Sequence, residues 1–340
     1  MPVLSRDEFR QVVMERDGGK CVVCGATAAD AHHLLERRLF ADEGFGNDPD
    51  NGVALCEQHH LAAERTQLSV EDLRQAAGIA TAILPSHLYE DEVYDKWGNA
   101  IRPDGLRTPG ELFFDPSVQK ALREGQALPF FRPFIRHPRT YHLPWSLGAT
   151  RDDRMMADTD ALQGLEVVAT LKLDGEQTSF YRSGLHARSL DWQGHESRDW
   201  VKALWAQVCS DIPEGWRVCG ENMWAVHSLH YTDLHSYFYV HSIWDQANFC
   251  LSWDQTLEWA SLLGLQVVPT LYRGPFSQSS LSALWTPAQS QVMEGYVVRP
   301  TMGFAYRDYR RLVGKFVRPD HVQQTKHWFF GRRLERNSLA

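Results

Sequence analysis

Two short pairs of soft metal ligands constrain the first part of this chain more than any other feature. Cys21-x-x-Cys24 and Cys56-x-x-His59 each hold two ligand side chains within one tight turn, and 31 residues separate the pairs. Thiolates and imidazole suit tetrahedral Zn²⁺, so this spacing predicts a Cys₃His structural zinc site that joins two loops into a small domain. The other cysteines stand apart from histidines, which favours a reducing compartment over a set of disulfides.

The composition excludes several classes of protein. The 340 residues are 43% hydrophobic and 11% aromatic, which is typical of folded domains and excludes a disordered or fibrous chain. The formal net charge of −8 excludes a protein that coats nucleic acid through overall charge. Residues 307–336, with nine Lys+Arg and three Asp+Glu, form a local basic region. There is no apolar run of membrane-spanning length and no signal-peptide core near the start, so we expect a cytoplasmic protein with no membrane partner.

Changes in residue pattern divide the chain into three predicted domains and favour an α+β fold. Residues 1–85 contain the zinc ligands, a helix over residues 5–17 and helical spacing over residues 61–77. Residues 86–140 are rich in Pro, Gly and aromatic side chains and are predicted to be an ordered connector. Residues 141–340 alternate strands and helices. The strands are predicted at 166–173, 216–220, 237–244, 266–272 and 295–299, and the helices at 198–208 and 255–263.

A lysine at the end of the first of these strands is a candidate nucleophile. Lys172 lies in Leu171-Lys172-Leu173-Asp174-Gly175, an apolar strand followed at once by a turn. A free lysine has a pKa of about 10.4, so catalysis would need nearby cations that lower this pKa. Taken alone, the string is more typical of a surface turn.

Four further charged residues follow in order, each near the end of a strand. They are Arg188 in His-Ala-Arg-Ser, Glu221 in Cys-Gly-Glu-Asn, Glu294 in Met-Glu-Gly-Tyr-Val-Val-Arg, and Lys315 in Val-Gly-Lys-Phe-Val-Arg. With these motifs, residues 141–328 resemble the RNA-ligase branch of the covalent nucleotidyltransferases, which pass AMP from ATP through a lysine. Tyr141-His142-Leu143-Pro144-Trp145-Ser146 and Asp152-Asp153-Arg154 resemble the lead-in of bacterial RNA ligases. The resemblance implies a domain of antiparallel sheets flanked by helices.

The resemblance also implies a catalytic role for each motif. Lys172 would attack the α-phosphorus of ATP and form a phosphoramidate with AMP. Glu221 would hold the ribose, and Glu294 would bind Mg²⁺ or Mn²⁺ through water. Lys315 would neutralise the α-phosphate. Arg188 would contact either the phosphates of ATP or the incoming 5′-phosphate end.

The resemblance also implies the remaining residues of the nucleotide site, where this sequence departs from the family pattern at two positions. Leu171 and Asp174, on either side of the lysine, belong to the site. The last motif commonly has a second lysine, and here Arg318 is the next cation. In the strand at 237–244, His241 falls where an aromatic ring often stacks on adenine.

The C-terminal residues favour an RNA ligase over its relatives. Arg318 is followed by 22 residues, which are too few for the additional small barrel of DNA ligases and mRNA-capping enzymes. The tail at 323–336, with Trp328, Phe329, Phe330 and a pair of arginines, is expected either to form part of the nucleic-acid or triphosphate surface or to dock its aromatic rings on the core.

A second constellation lies between the zinc ligands. His32-His33-Leu34, Asn51 and His60 resemble the HNH endonuclease family, whose ββα-metal unit carries one divalent metal ion. The resemblance implies that His33 activates water as general base and that His32 and His60 hold the metal, with Asn51 completing this site by bracing its loop. The alternative is a zinc-built domain that only binds nucleic acid or protein, which the net charge of −6 over residues 1–85 favours.

The sequence therefore predicts an ATP-dependent RNA ligase with an N-terminal HNH-like module, acting in RNA repair. It would seal 3′-hydroxyl and 5′-phosphate ends through a Lys172–AMP intermediate, with ATP, Mg²⁺ or Mn²⁺, and Zn²⁺ as cofactors. Its partner would be RNA, with a nicked duplex or an RNA/DNA hybrid among the alternatives. Two other hypotheses stay open. The protein could be an HNH nuclease whose ligase fold senses nucleotides, or a zinc-dependent nucleic-acid-binding protein without catalysis.

Overall fold

A computed structural model describes residues 4–40, 45–150, 153–188, 195–289, 292–319 and 335–340. The chain divides into two compact units, Met1–Ile135 and Arg136–Ala340. Asp152 and residues 323–334 of the predicted tail lie outside the described residues. Helices and mostly antiparallel sheets occur together, which confirms the predicted α+β class.

The first unit contains four helices and five short strands among its described residues. The helices are α1 (Arg6–Arg16), α2 (Glu57–Glu64), α3 (Val70–Ala76) and α4 (Pro116–Glu124), and the strands are β1 (Asp30–His33), β2 (Gly52–Leu55), β3 (Val93–Tyr94), β4 (Ala100–Ile101) and β5 (Arg107–Thr108). Strands β1 and β2 form an antiparallel pair, and β3, β4 and β5 form a three-stranded sheet. Ser5 begins α1 with a capping box, in which its side chain and that of Glu8 satisfy each other's backbone N–H groups.

The helical spacing predicted over residues 61–77 belongs to two helices. Helix α2 ends before Thr66, whose φ of 61° lies in the left-handed region. A β-branched residue in that region does not continue an α-helix. Ser69 then begins α3 with a second capping box.

One hydrophobic core runs through the first unit. Leu34, Leu55 and Leu73 from the first 85 residues pack in one cluster with Trp97 and Leu122. The residues predicted as a connector therefore contribute, as far as Phe131, to the same core as the residues that carry the predicted zinc ligands.

The second unit contains the remaining described elements. The helices are α5 (Asp199–Val208), α6 (Trp253–Leu262), α7 (Gln278–Ser282) and α8 (Tyr309–Leu312). The strands are β6 (Tyr141–His142), β7 (Glu166–Leu171), β8 (Glu176–Tyr181), β9 (Gly184–Ala187), β10 (Arg217–Asn222), β11 (Phe238–Trp244), β12 (Phe249–Cys250), β13 (Gln266–Val267), β14 (Thr270–Pro275), β15 (Gly295–Pro300), β16 (Phe304–Ala305) and β17 (Gly314–Val317). Among the described helices of both units, none has the length and apolar composition that a bilayer span requires.

Two sheets organise the second unit. The first has the order β16-β12-β11-β10-β8-β9, with β13 beside β11, and the second has the order β14-β7-β15-β17-β6. The strand predicted at 266–272 is two strands, β13 and β14, which belong to different sheets. The break follows from Pro269, which has no backbone N–H to donate to a strand ladder.

Candidate functional site

The end of β7 and the start of β15 bring Lys172 and Glu294 together. Leu171 pairs with Tyr296 across these antiparallel strands, and the backbone N–H of Lys172 donates to the carbonyl of Gly295 (2.9 Å). The Lys172 ammonium donates to the Glu294 carboxylate, with 2.5 Å between Nζ and Oε2. Glu294 is buried, with 1% of its surface exposed. Two residues 122 positions apart in the sequence thus form one ion pair, in which Glu294 is buried and Lys172 is partly exposed.

The surroundings of Lys172 hold it in the charged form. Burial lowers the pKa of Lys172, but the carboxylates of Glu294 and Asp174 outweigh burial and raise this pKa above its usual value. This differs from the sequence-based expectation of a pKa lowered by nearby cations. The difference arises because carboxylates, above all that of Glu294, dominate the charges that act on the ammonium group.

Strand β17 adds the third charged residue. Lys315 pairs with Val297 of β15, next along the sheet from β7. Burial, with a further contribution from Lys172, lowers the pKa of Lys315 to about 8. At the end of β17, the backbone N–H of Arg318 donates to the carbonyl of Glu294 (2.9 Å). Lys315 and Arg318, which are predicted to contact phosphate, therefore lie in or directly after strand β17.

The turn after Lys172 leads from one sheet to the other and meets Glu221. The backbone N–H of Gly175 donates to Glu221 Oε1 (3.2 Å). Only glycine fits here, because a Cβ at position 175 would lie 2.5 Å from the carbonyl oxygen of Asn222. Burial raises the pKa of Glu221 to about 8, against the opposing effect of Lys172. The turn thus holds Glu221 close enough to Lys172 for the two charges to interact.

Three residues that no motif marks hold Asp174 and its loop. The Asp174 carboxylate accepts from the backbone N–H (2.7 Å) and the hydroxyl (2.5 Å) of Ser228, and the N–H of Asp174 donates to the Tyr231 hydroxyl (3.3 Å). Asn337 in turn accepts from the N–H of Tyr231 (2.8 Å) and donates to the carbonyl of Met223 (2.7 Å). Residues near the C-terminus therefore support the loop between β10 and β11, which supports Asp174.

A buried histidine from the lead-in motif braces the strand of Lys315. The Ser146 hydroxyl accepts from the N–H of Val317 (2.9 Å) and lies 2.8 Å from His142 Nδ1. Nε2 of His142 lies 3.5 Å from the Asp153 carboxylate. Burial and the nearby Lys315 lower the pKa of His142 to about 4, so its imidazole is neutral at neutral pH. The lead-in motif therefore supports the strand that carries Lys315.

Arg188 and His241 lie on the other sheet. Arg188 is exposed directly after β9, and its charge contributes to the lowered pKa of Lys315. His241 is the extra residue of a β-bulge in β11, because Cys219 pairs with Ser242 and Gly220 pairs with Val240. The His241 ring centroid lies 4.9 Å from that of His137.

The four predicted zinc ligands come together in the first unit. The ligand atoms of Cys21, Cys24, Cys56 and His59 all lie within 4.8 Å of one another. His59 Nδ1 is 3.4 Å from Cys21 Sγ and 3.2 Å from Cys56 Sγ. Burial raises the pKa of Cys21, but backbone N–H groups of Cys56 and Cys24 outweigh it and bring this pKa to about 6. Three sulfurs and one imidazole nitrogen at these separations fit a tetrahedral zinc ion.

A second ligand cluster contains two of the predicted histidines and a glutamate. Ligand atoms of His32, His60 and Glu64 lie within 4.8 Å of one another. Glu64 is one turn after His60 on α2, so both side chains point the same way. His32 is 1% exposed, and neither of its ring nitrogens has a hydrogen-bond partner in the described part of the chain. Burial lowers the pKa of His32, which keeps the imidazole in its metal-binding neutral form.

His33 and Asn51 lie beside this cluster in different roles. His33 stacks on Phe9, with centroids 4.1 Å apart, and its Nε2 is 3.1 Å from Asn47 Oδ1. Burial lowers the pKa of His33 to about 4. The Asn51 amide is committed to the backbone: it accepts from the N–H of Leu35 and donates to the carbonyls of Leu35 and Gly46, each at 3.0 Å. Asn51 therefore braces the loop, and the third group that could bind a metal in this cluster is Glu64.

The comparison with known families concerns the second unit. Residues 165–317 match the RNA ligase family. The matched segment contains Lys172, Glu221, Glu294 and Lys315. The chain has no match among curated proteins.

Solved structures similar to this chain include ligases from several organisms. A Naegleria gruberi RNA ligase mutant with ATP and Mn is 15% identical, with 47% of this chain and 51% of that chain covered and a TM-score of 0.35. An archaeal ATP-dependent RNA ligase is 13% identical, with 54% and 48% covered and a TM-score of 0.38. A putative ATP-dependent DNA ligase from Aquifex aeolicus is 14% identical, with 54% and 50% covered and a TM-score of 0.38. The chain spans about half the length of these structures.

Proposed function

We propose that this chain is an ATP-dependent RNA ligase that works through a Lys172–AMP intermediate. The observation that carries the proposal is that Lys172 at the end of β7, Glu294 directly before β15 and Lys315 in β17 lie on three neighbouring strands. All three belong to the segment that matches RNA ligases. A strand-end lysine beside a buried carboxylate and a second cation suits nucleophilic attack on a phosphate.

The chain's own residues would act in three steps. Lys172 Nζ attacks the α-phosphorus of ATP, the bond from that phosphorus to the bridging oxygen breaks, and pyrophosphate leaves. The 5′-phosphate of the RNA then takes AMP from Lys172 and forms a pyrophosphate-linked end. The 3′-hydroxyl attacks the activated 5′-phosphate and releases AMP. Lys315 would neutralise the α-phosphate, with Arg318 as the second cation and Arg188 on the phosphates of ATP or of the RNA end.

The remaining residues would hold the nucleotide in place. Glu221 is directed by its contact with Gly175 towards the turn that carries Lys172, which supports its proposed contact with the ribose. Leu171 and Asp174 flank the nucleophile, and His241 would stack on the base. Bound Mg²⁺ or Mn²⁺ would neutralise phosphate charge, and the Glu294 carboxylate is an oxygen ligand of the kind these ions take.

An RNA-joining assay with different terminal groups tests this function. With ATP and Mg²⁺, the protein should seal an RNA nick with a 3′-hydroxyl and a 5′-phosphate, and it should leave 3′-phosphate and 5′-hydroxyl ends unjoined. Glu294→Ala should reduce sealing by about 100-fold or more, since removing a group that acts on transferring phosphates costs a few kcal/mol. Glu258→Ala, at an exposed position on α6, is the matched control. Efficient joining of a 3′-phosphate to a 5′-hydroxyl would contradict the proposal.

A second function, strand cutting, is favoured by the cluster of His32, His60 and Glu64 in the first unit. Two neutral imidazoles and a carboxylate fit a divalent cation, which would supply positive charge against a phosphodiester when bound. His33, held by Asn47, would take the proton from the attacking water. The zinc ion held by Cys21, Cys24, Cys56 and His59 would be structural.

A protein with both activities would cut and seal within one chain, which suits RNA repair. The alternative for the first unit is nucleic-acid binding without cutting. A cutting assay distinguishes the two, because a binding unit would retain nucleic acid without producing fragments.

A further inference from the structure

A buried lysine reaches the carboxylate of the second ligand cluster. The Lys96 ammonium forms an ion pair with Glu64 Oε1, and the same oxygen lies 3.5 Å from His32 Nδ1. Lys96 is 8% exposed. It comes from the turn after β3, outside the β1, β2 and α2 elements that carry the histidines and Glu64.

The turn that carries Lys96 is rigidly attached to the cluster. The carbonyl of Lys96 accepts from the N–H of Glu36 (2.9 Å), and the Trp97 indole donates to the carbonyl of Glu64 (3.1 Å). Buried Asp95 accepts from the N–H groups of Trp97 (3.0 Å) and Asn99 (3.1 Å). The backbone that carries Lys96 is therefore held beside the cluster without help from the ion pair, and the side chain stays free to change its partner.

The charges at the cluster do not balance once a divalent cation enters. Glu64 and Lys96 cancel each other, and both imidazoles are neutral, so a divalent cation raises the local charge to about +2. The other carboxylate whose charge affects the pKa of His60 is that of Asp30. This carboxylate already forms an ion pair with Arg10, with 2.6 Å between Oδ1 and Nε. A buried excess of positive charge of this size needs an anion.

We propose that Lys96 is a phosphate-binding residue of this metal site, and that it makes binding of the divalent cation and binding of a phosphate group depend on each other. The inference rests on the cluster to which the proposed cutting function assigns a metal. Without phosphate, Lys96 competes with the cation for the Glu64 carboxylate. With phosphate present, the ammonium group turns from Glu64 to a phosphate oxygen, and the carboxylate is released to the cation. By thermodynamic linkage, bound phosphate then strengthens binding of the cation, and the bound cation strengthens binding of phosphate.

Electron paramagnetic resonance of Mn²⁺ with the zinc-loaded full chain tests this coupling. Each titration is also made with His60→Ala, which lacks one ligand, and the difference isolates this site from the ligase site. Inorganic phosphate and dimethyl phosphate are the two probes, with free Mn²⁺ in each buffer taken from protein-free samples. A response to dimethyl phosphate identifies a phosphodiester site, and a response to inorganic phosphate alone identifies a site for a free or terminal phosphate.

Without phosphate, Lys96→Met should bind Mn²⁺ about tenfold tighter than the parent, because the competing charge is gone. Phosphate should strengthen Mn²⁺ binding about fivefold or more in the parent and less than about twofold in Lys96→Met. Lys120→Met, at an exposed position on α4, should behave like the parent. Equal Mn²⁺ affinity in Lys96→Met and the parent would overturn the proposal, as would an equal phosphate effect in the two proteins.

A measurement that does not use Lys96→Met keeps the proposal testable if that variant does not fold. Bound Mn²⁺ should shorten the ³¹P relaxation time of the phosphate probe, and this effect should be lost in His60→Ala. Absence of a His60-dependent effect would overturn the proposal. Strand cutting is measured separately. If the protein passes this test but cuts no strand, only the proposed cutting function is contradicted. The proposed RNA joining depends on neither result.

Discussion

The ammonium nitrogen of Lys172 lies 2.5 Å from a carboxylate oxygen of Glu294, so the proposed nucleophile and the proposed metal ligand form one ion pair. The pair raises the pKa of Lys172 and keeps it protonated at neutral pH. A protonated amine has no free electron pair for attack on phosphorus. The proposed adenylylation therefore requires Lys172 to lose a proton, and this loss becomes easier when the Glu294 carboxylate no longer holds the ammonium group. A divalent cation that bound the carboxylate would have this effect.

The lowered pKa of Lys315 predicts a pH dependence of ATP binding. Because this pKa is about 8, Lys315 loses its charge as the pH rises through about 8, and the affinity for ATP should fall above that pH. Lys315→Arg stays charged at all these pH values and should lose this dependence. The measurement is the KM for ATP in self-adenylylation from about pH 7 to about pH 9, with Lys202→Arg as control. An unchanged pH profile in Lys315→Arg would argue against this role.

Ser228 should matter for adenylylation although no motif includes it. Its hydroxyl donates to the carboxylate of Asp174, and a hydrogen bond to a charged group contributes roughly 1.5–3 kcal/mol. Ser228→Ala should therefore slow adenylylation about tenfold with the fold intact. Ser210→Ala, which removes an exposed hydroxyl beside Asp211, should have no effect. Equal rates for Ser228→Ala and the parent would show that Asp174 needs no such support.

Removal of a predicted zinc ligand should unfold the first unit and leave the activity of the second unit intact. Cys56→Ala or Cys24→Ala should lose zinc and unfold the first unit, because binding of a structural zinc contributes on the order of 10 kcal/mol to folding. Self-adenylylation should remain, since Lys172 belongs to the second unit. Cys209→Ala, outside the cluster, should retain zinc. Metal analysis with calorimetry checks this, and full zinc occupancy in Cys56→Ala would contradict the assignment.

The cutting function depends on His33 and on its partner. His33→Ala should abolish cutting and keep zinc, fold and RNA joining, because His33 lies outside both ligand clusters. Asn47→Ala should slow cutting about tenfold or more, since the ring loses its 3.1 Å hydrogen bond. With a pKa of about 4, His33 should be deprotonated across the neutral range, so its titration should not limit cutting there. If the parent cuts no strand with Mg²⁺, Mn²⁺ or Ni²⁺, the first unit is a binding domain.

The residues that sequence reasoning located are those at strand ends and in short motifs. Lys172 and Glu294 meet because antiparallel neighbours bring the end of one strand beside the start of the next. The four predicted zinc ligands could be located because each pair lies within one turn. Glu64 was also accessible from the sequence, since it follows His60 by one helical turn.

The residues that sequence reasoning did not locate depend on tertiary contacts. Ser228 and Tyr231 reach Asp174 from an irregular loop, and Asn337 reaches that loop from the far end of the chain. Asn47 and Lys96 likewise lie in segments without periodicity. Side chains of this kind follow neither a strand nor a helix period, so only the folded chain brings them to the site.

The most direct test of the central claim is covalent labelling by ATP radiolabelled at the α-phosphate. With a divalent cation, the parent should acquire one AMP per chain through a bond that is labile to acid and stable to base, as a phosphoramidate is. Lys172→Ala should acquire none, while Lys202→Ala, at a partly exposed position on α5, should label like the parent. Labelling of Lys172→Ala at the level of the parent, or no labelling of the parent, would contradict the account.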